Sequence, residues 1–527
     1  MSIRGWQGRQ VTVAGLGVSG IPAARVLHGL GAVVTVVDDR DDERARSQAA
    51  ELESWGAAHS APGGRGAGRA GITVRLGDGA TLPEGTELVV TAPGWNPGKP
   101  LFAAAAEAGA EVWGDVELAW RLRGTDGRRA APWLAVTGTN GKTTTVRMLA
   151  SILTAAGLKT AAVGNIGVSL LDAVLGEVKE GTEGTEGAEG AGGAEGAEAE
   201  RGGKQEYDVL AVELSSYQLH WAPSLRAHSA AVLNLAPDHL DWHGSMEAYA
   251  ADKGRIYEGN TVACVYNAAD PATEALVREA DVVEGCRAVG FTLGTPGPSQ
   301  LGVVDGILVD RAFVENRQRQ AQELAEVSDI SASSSRGAGA GPPAPHSIAN
   351  ALAAAALARA FGVPAAAVRD GLRAFRPDPH RIEHVDDVGG VAYVDDSKAT
   401  NTHAAEASLA AYQPIVWIAG GLAKGATFDE LVGRSAGRLR GAVLMGADRA
   451  LIAEALARHA PEVPVVDLDR TDTGAMSAAV REAARLARPG DTVLLAPACA
   501  SMDMFANYNK RGEAFADAVR ALAAERT

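Results

Sequence analysis

The residues with the plainest capacity for chemistry run Thr137-Gly138-Thr139-Asn140-Gly141-Lys142-Thr143-Thr144. In a Gly-rich loop between a strand and a helix, main-chain N–H groups wrap a phosphate. Lys142 would neutralise β/γ charge there and Thr143 would reach Mg²⁺. The strict pattern G-x-x-x-x-G-K-[ST] asks for glycine at position 136, where Val136 stands. A chance Gly-Lys-Thr in a surface loop is the plainer alternative. It fits poorly, because an apolar run precedes the loop and a helical pattern follows it. ATP binding by Gly138, Thr139, Asn140, Gly141, Lys142, Thr143 and Thr144 is the expectation.

Other candidates sit at the ends of apolar runs. Glu213, in Val212-Glu213-Leu214-Ser215-Ser216, is placed to hold Mg²⁺ beside those phosphates; the competing reading is an acid that caps a helix. Asp238-His239 is either a turn or part of the site. Asp395-Asp396-Ser397-Lys398-Ala399-Thr400-Asn401 is either a substrate or nucleotide contact or an ordinary polar loop. Lys424 after Gly420-Gly421 and Ser501 after Ala498-Cys499-Ala500 occupy similar loops. Near the start, Gly15-Leu16-Gly17-Val18-Ser19-Gly20 follows one apolar run, and Asp38 ends the next. That context suits a nucleotide phosphate at a helix N-terminus, and it also suits a plain Gly-rich turn.

The elements that must carry these residues form three α/β segments. Expected strands cover 11–14, 33–37 and 88–92, then 133–136, 209–212 and 230–235, then 391–394, 415–419, 442–445 and 492–496. Helices are expected over 21–30 and 348–361, with another directly after the P-loop. Alternation of this kind predicts doubly wound parallel sheets, whose ligands gather at strand carboxyl ends. The expected domains are 1–130, 131–376 and 377–527. Residues 63–71 read as an exposed loop. Disordered insertions are expected near 178–205, where nine Glu fall from Glu177 to Glu206 among Gly, Ala and Thr, and near 318–345.

At 527 residues, several domains are expected. The net charge of −16, with no Lys/Arg stripe, argues against a nucleic-acid partner. Three scattered cysteines exclude a disulfide framework and a C-x-x-C metal site. The start lacks the apolar core of a signal peptide, and no run approaches ~18 apolar residues, so a cytoplasmic protein with no membrane span is expected.

Taken together the motifs resemble the Mur ligases of peptidoglycan synthesis over nearly the whole chain, and most closely the member that adds D-glutamate to UDP-N-acetylmuramoyl-L-alanine. The most specific element is Asp395 to Asn401, with His380-Arg381 upstream and Ala498-Cys499-Ala500-Ser501-Met502-Asp503-Met504-Phe505 downstream. The resemblance implies a Rossmann-like N-terminal domain, a P-loop ATPase-like central domain and a Rossmann-like C-terminal domain, acting as a monomer. It implies that Val18, Ser19, Asp38, Asp39, Arg40 and Gly94 hold the uridine nucleotide rather than NAD. Asn165 and His239 would contact the sugar nucleotide or metal. Thr143, Glu213, His239 and a carbamylated Lys253 would organise two Mg²⁺. Asn350, Arg381 and Asp396 match positions that contact adenine and ribose; Lys398, Thr400, Lys424, Ser501 and Tyr508 match those around the D-glutamate carboxylates. For Lys253 the plain alternative is a surface lysine on a helix. Ser347 replaces a usual Asn, and Leu422 stands where some relatives carry an acid. A sibling ligase or folylpolyglutamate synthase with another amine acceptor is the nearest rival reading. A nicotinamide-dependent oxidoreductase is the distant one, and it leaves the P-loop, Glu213 and the Asp395 motif unexplained.

Overall fold

The computed structural model describes residues 5–59, 71–125, 129–166, 169–175, 207–331, 343–376, 379–470, 472 and 474–526. Short runs of Val, Ala, Leu and Ile, buried on both faces in the central strands, build three mainly parallel sheets. Antiparallel pairs are Gln300–Val304 with Ile307–Asp310, and Glu383–Val388 with Val391–Asp395. The first contains β1 (Gln10–Ala14), β2 (Val33–Asp38), β3 (Thr73–Leu76), β4 (Leu88–Thr91) and β5 (Glu111–Gly114). Its order is β3-β2-β1-β4-β5, parallel throughout.

The second sheet contains β6 (Trp133–Thr137), β7 (Ala162–Gly164), β8 (Leu210–Glu213), β9 (Ser229–Val232), β10 (Ala263–Asn267), β11 (Arg287–Phe291), β12 (Gln300–Val304), β13 (Ile307–Asp310) and β14 (Gln322–Glu326). Its order is β14-β13-β12-β11-β10-β9-β6-β8-β7. β6 thus lies between strands reached by crossovers to opposite sides, the place where α/β sheets open a ligand crevice. The register sets Val136 beside Glu213 and Thr137 beside Val232, so β6, β8 and β9 end together.

The third sheet contains β15 (Glu383–Val388), β16 (Val391–Asp395), β17 (Ile415–Ala419), β18 (Leu439–Leu444), β19 (Val465–Asp467) and β20 (Thr492–Leu495), in the order β15-β16-β20-β17-β18-β19. Only β15 runs antiparallel to its neighbour among these pairings.

The chain divides into two compact units, Met1–Ala325 with Asn350–Gly371, and Glu326–Ala349 with Leu372–Thr527. The first unit holds the first two sheets. One apolar core runs through both, from Val11 and Trp113 to Leu210 and Val232. Polar ties add to it: Gly114 N donates to Trp221 O at 2.8 Å, and buried Glu117 accepts from Ser224 N at 3.0 Å and Arg121 Nε at 2.6 Å.

One expectation is corrected. The stretch near 318–345 is not wholly a disordered insertion, because β14 and the helix Val327–Ser331 occupy its first part. Leu324 and Ala325 are buried there, the only apolar pair inside a polar run, so the period-2 signal is too short to read. Residues 332–342, the acidic stretch 178–205 and nearly all of the loop 63–71 lie outside the described residues. Among the described residues no helix is long and apolar enough to cross a membrane.

Candidate active site

The P-loop follows β6 and opens the helix Lys142–Ala155. Gly138 (φ 155°) and Gly141 (φ 84°) take the backbone through conformations that L side chains avoid, which turns the loop around a hollow. A Cβ on Gly141 would lie 2.4 Å from Asn350 Oδ1, so Asn350 packs directly against the loop. Asn234, two residues beyond β9, clamps the loop from below. Its Oδ1 accepts from Asn140 N at 2.9 Å, and its Nδ2 donates to Asn140 O at 3.1 Å. Thr139 Oγ1 lies 3.0 Å from Tyr249 Oη and accepts from Ala236 N at 3.0 Å, so it braces the loop. Lys142 Nζ donates to Gly138 O at 2.9 Å and Thr139 O at 3.0 Å. Thr143 is buried at the first turn of the helix, with Thr144 half-buried beside it.

Lys253 is the residue whose setting departs most from expectation for a surface lysine. It is 1% exposed, in the helix Met246–Gly254. Its Nζ donates to Gly138 O at 2.9 Å and stands 4.7 Å from the centre of the Tyr249 ring. Burial first, then the Lys142 charge, hold its ammonium well below the usual lysine range, against opposing pulls from Asp238 and Glu213. The surface-lysine reading is thereby overturned.

Glu213, at the end of β8, is also buried. Its Oε1 accepts from Asn165 Nδ2 at 3.1 Å, and its Oε2 is buried with no hydrogen-bond partner. A buried carboxylate oxygen without a proton donor is costly unless a cation completes it. Together with the Thr143 hydroxyl this is a donor set of oxygens, which fits Mg²⁺. His239 sits at φ 55°, 3.5 Å from Asp238, with its ring 4.9 Å from that of Tyr217. Partial burial, then Lys142 and Lys253, lower its proton affinity, and Asp238 opposes them. Lys142, Glu213, His239 and Lys253 are therefore electrostatic neighbours at one mouth of the sheet.

In the same unit, the first sheet presents its own strand-end turn. Asp38 is almost fully engaged: Oδ2 accepts from Leu16 N at 2.6 Å, and Oδ1 accepts from Arg40 N and Arg40 Nε, each at 2.9 Å. Burial raises its proton affinity, but the Arg40 guanidinium and the two N–H groups outweigh that and hold it low. Asp38 thus shapes the turn that Val18, 75% exposed, and Ser19 occupy. Asp39 pairs with Lys99, which lies over Trp95. Gly94 O accepts from Trp242 Nε1 at 3.3 Å. Asp115 hydrogen-bonds both Ser19 and Gln218, joining this turn to the segment after Glu213.

The second unit has a site-like cluster of its own, where β16, β20 and β17 end side by side. Asp395 Oδ2 lies 2.7 Å from His380 Nδ1, and its Oδ1 accepts from Ser397 N at 2.8 Å. Asp396 is buried and accepts from Ser408 Oγ. Burial pushes its carboxyl up to about 6, with Ser408 and Arg381 opposing. Lys398 Nζ stands 4.0 Å from the centre of the Tyr508 ring, and Thr400 lies two residues on. The loops bearing Lys424 and Ser501 are joined by main-chain pairing of Leu422 with Ala500, N–H to O at 2.9 Å each way. Leu422 thus serves this loop through its main chain.

Gly420 and Gly421 permit that join. A Cβ on Gly421 (φ 134°) would sit 2.2 Å from Ala500 O, and on Gly420 (φ 117°) 1.9 Å from Met445 O. Gly421→Ala is expected to cost roughly 1–3 kcal/mol and to separate the Lys424 and Ser501 loops. Thermal unfolding checks this; an unchanged melting temperature would mean the loop yields without strain.

Residues missed by the sequence reading include Asn234, Tyr249, Asp115 and Arg511. Arg511 is fully buried, donating to Ser397 Oγ at 3.0 Å, Ser397 O at 2.8 Å and Cys499 O at 3.0 Å. It ties the Asp395 loop to the Ser501 loop from the helix Tyr508–Arg526. Each of these four acts on a loop from a distant segment, so none carried a local signal of its own.

Family models match each of these two regions separately. The Mur ligase middle domain model matches residues 136–358, and the model of the Mur ligase glutamate ligase domain matches 380–499. A Streptomyces avermitilis protein named UDP-N-acetylmuramoylalanine–D-glutamate ligase is 77% identical over 98% of this chain and 99% of its own length. A Thermobifida fusca protein of the same name is 54% identical over 98% of this chain and 99% of its own. Among solved structures, MurF ligase from Thermotoga maritima in complex with ADP covers 100% of this chain and 97% of its own, at 14% identity and a TM-score of 0.52, a likeness of fold. With a P-loop domain and a glutamate ligase domain matched in order, and full-length relatives this similar, the chain belongs to the Mur ligase family.

Proposed function

We propose that the chain is an ATP-dependent ligase that joins D-glutamate to UDP-N-acetylmuramoyl-L-alanine through an acyl phosphate. That step belongs to peptidoglycan precursor synthesis, and through it to cell-wall formation, cell shape and division. The observation that carries the reading is the convergence of the P-loop, Glu213, His239 and buried Lys253 at one strand-end mouth. The substrates are those in the names of its relatives. Three free thiols support a reducing, cytoplasmic setting.

A carboxylate is a poor electrophile. In the first step its oxygen bonds to the γ-phosphorus of ATP while the bond to the β-phosphate oxygen breaks, releasing ADP. The P-loop amides and Lys142 hold and neutralise the phosphates as charge shifts between them. Mg²⁺, when bound by Thr143, Glu213, His239 and a Lys253 carbamate, supplies further neutralisation of that charge. Asn350, Arg381 and Asp396 are assigned to the adenine and ribose. Val18, Ser19, Asp39, Arg40, Gly94 and Asn165 are assigned to the nucleotide substrate, with Asp38 shaping their turn. In the second step the neutral amine of D-glutamate attacks the acyl carbon, phosphate leaves, and the amine proton passes to a base. Lys398, Thr400, Lys424, Ser501 and Tyr508 are assigned to the D-glutamate carboxylates.

Purified protein with Mg²⁺ and ATP should release phosphate only when UDP-N-acetylmuramoyl-L-alanine and D-glutamate are both present. Phosphate release measured with L-glutamate, L-alanine or L-lysine in place of D-glutamate is the control. Equal turnover with any of them would refute the acceptor assignment.

A further inference from the structure

Beside the site lies a hydrogen-bonded chain of side chains to which the proposed chemistry assigns no part. His243 Nδ1 is 3.0 Å from Asp252 Oδ2, and His243 Nε2 is 3.0 Å from Ser216 Oγ. A carboxylate only accepts, so Nδ1 carries the proton and Nε2 accepts from the serine hydroxyl. Asp252 also accepts from His220 Nδ1 at 2.9 Å and pairs with Arg255 Nε at 3.2 Å. The order Ser–His–Asp is that of a hydrolytic triad. Here the serine is only 2% exposed and the His243 side chain is fully enclosed, so no substrate reaches the hydroxyl. The chain of bonds is a tie.

What it ties is informative. Ser216 begins the helix Ser216–His220, three residues after Glu213. His243 ends the helix Leu240–His243, four residues after His239. Asp252 precedes Lys253 in the helix Met246–Gly254. Neighbouring residues of a helix point about 100° apart, so Asp252 faces the histidines while Lys253 faces the P-loop. Helices of four, five and nine residues have little stability of their own, and cross-links must set their positions. The Tyr217 ring, stacked on His243 (2° between planes, 5.5 Å) and 4.9 Å from His239, extends the same contact. We infer that His243 is a positioning residue: by bridging Asp252 and Ser216 it holds Glu213, His239 and Lys253 at the mutual spacing that a divalent cation with a nucleoside diphosphate requires.

This inference rests on the ATP-site reading given above, and the test separates the two. ADP binding to the full chain is measured by calorimetry with Mg²⁺ and with EDTA. For the unaltered protein, Mg²⁺ should strengthen ADP binding; no gain would sink the site reading itself. His243→Phe keeps a ring against Tyr217 and removes both hydrogen bonds. It should lose at least about tenfold of the Mg²⁺-dependent gain while ADP affinity in EDTA stays within about twofold. General loosening of the fold would lower both. Ser216→Ala, which breaks only the far end of the bridge, should move the Mg²⁺-dependent gain the same way by about threefold. It also decides the matter if His243→Phe does not fold. A full Mg²⁺ gain in either folded variant overturns the positioning role.

Discussion

Lys142→Ala should lower kcat by at least ~10²-fold, the loss expected when a principal electrostatic stabiliser of phosphoryl transfer is removed. The geometry makes this the largest single effect in the P-loop. Lys142 is the first residue of the helix Lys142–Ala155, and its Nζ already lies over the loop, against Gly138 O and Thr139 O. The fold should survive, because the loop is braced independently of that amine by Asn234 and by the contact of Thr139 with Tyr249. Lys142→Arg keeps the charge but spreads it over a planar fork, so it should restore only part of the rate. Single-turnover phosphate release with both substrates present is the measurement. Near-normal turnover in the alanine variant would mean that ATP is held elsewhere.

Much of the fold was legible because parallel strands covered on both faces read as short apolar runs. Residues 415–419 match β17 as expected, and residues 391–394, 492–496 and 33–37 fall within one residue of β16, β20 and β2. Where the reading slipped, a side chain had other work. The strand expected to reach 235 ends at Val232, because Asn234 turns out of the ladder to clamp the P-loop and Leu235 N donates to Asp270 Oδ2 at 2.8 Å. β3 alternates exposed with half-buried residues at a sheet edge, and its Thr-Val-Arg-Leu carries no strong pattern. β14 escaped for the same reason. Edge strands bury little, so their residues are chosen for solubility as much as for pairing.

The site divides along a similar line. The P-loop was legible because one contiguous stretch supplies turn, charge and hydroxyl together. Its support was less so: Asn234 and Tyr249 come from segments about 95–110 residues away with no local period to mark them, and Lys253, equally distant, was reached through the family resemblance alone. The cysteines make the same point. Cys264 and Cys286, far apart in sequence, bring their sulfurs to 3.9 Å, because β10 pairs with β11 and Cys286 stands just before that strand. Arg511 in its helix reads as an ordinary surface cation among Lys510 and Glu513, yet its buried guanidinium donates to main-chain and hydroxyl oxygens. Burial of a charged side chain is a property of the assembled sheets, and neighbouring residues do not encode it.

Lys253→Ala should abolish most activity, by at least ~10²-fold, and short carboxylic acids such as acetate should restore part of it. The argument begins with burial. At 1% exposure, with Lys142 nearby, the ammonium is disfavoured, which favours the neutral, nucleophilic Lys253 amine more than in an exposed lysine. Its nitrogen can then bond to the carbon of CO₂ and release one proton, giving a carbamate with two anionic oxygens. The lone buried oxygen of Glu213 faces the same region and would share a hard cation with that carbamate, whereas an ammonium there would repel one. Acetate entering the space left by alanine would supply an equivalent carboxylate. Stability supplies the control. Removing a desolvated amine should leave the melting temperature unchanged or raise it, so lost activity would not reflect lost folding. The carbamate itself should give a carbon resonance after equilibration with ¹³C-labelled bicarbonate, absent in the variant. If Lys253→Ala turns over at the normal rate in CO₂-depleted buffer, the lysine is a packing residue and Glu213 needs another partner for its cation.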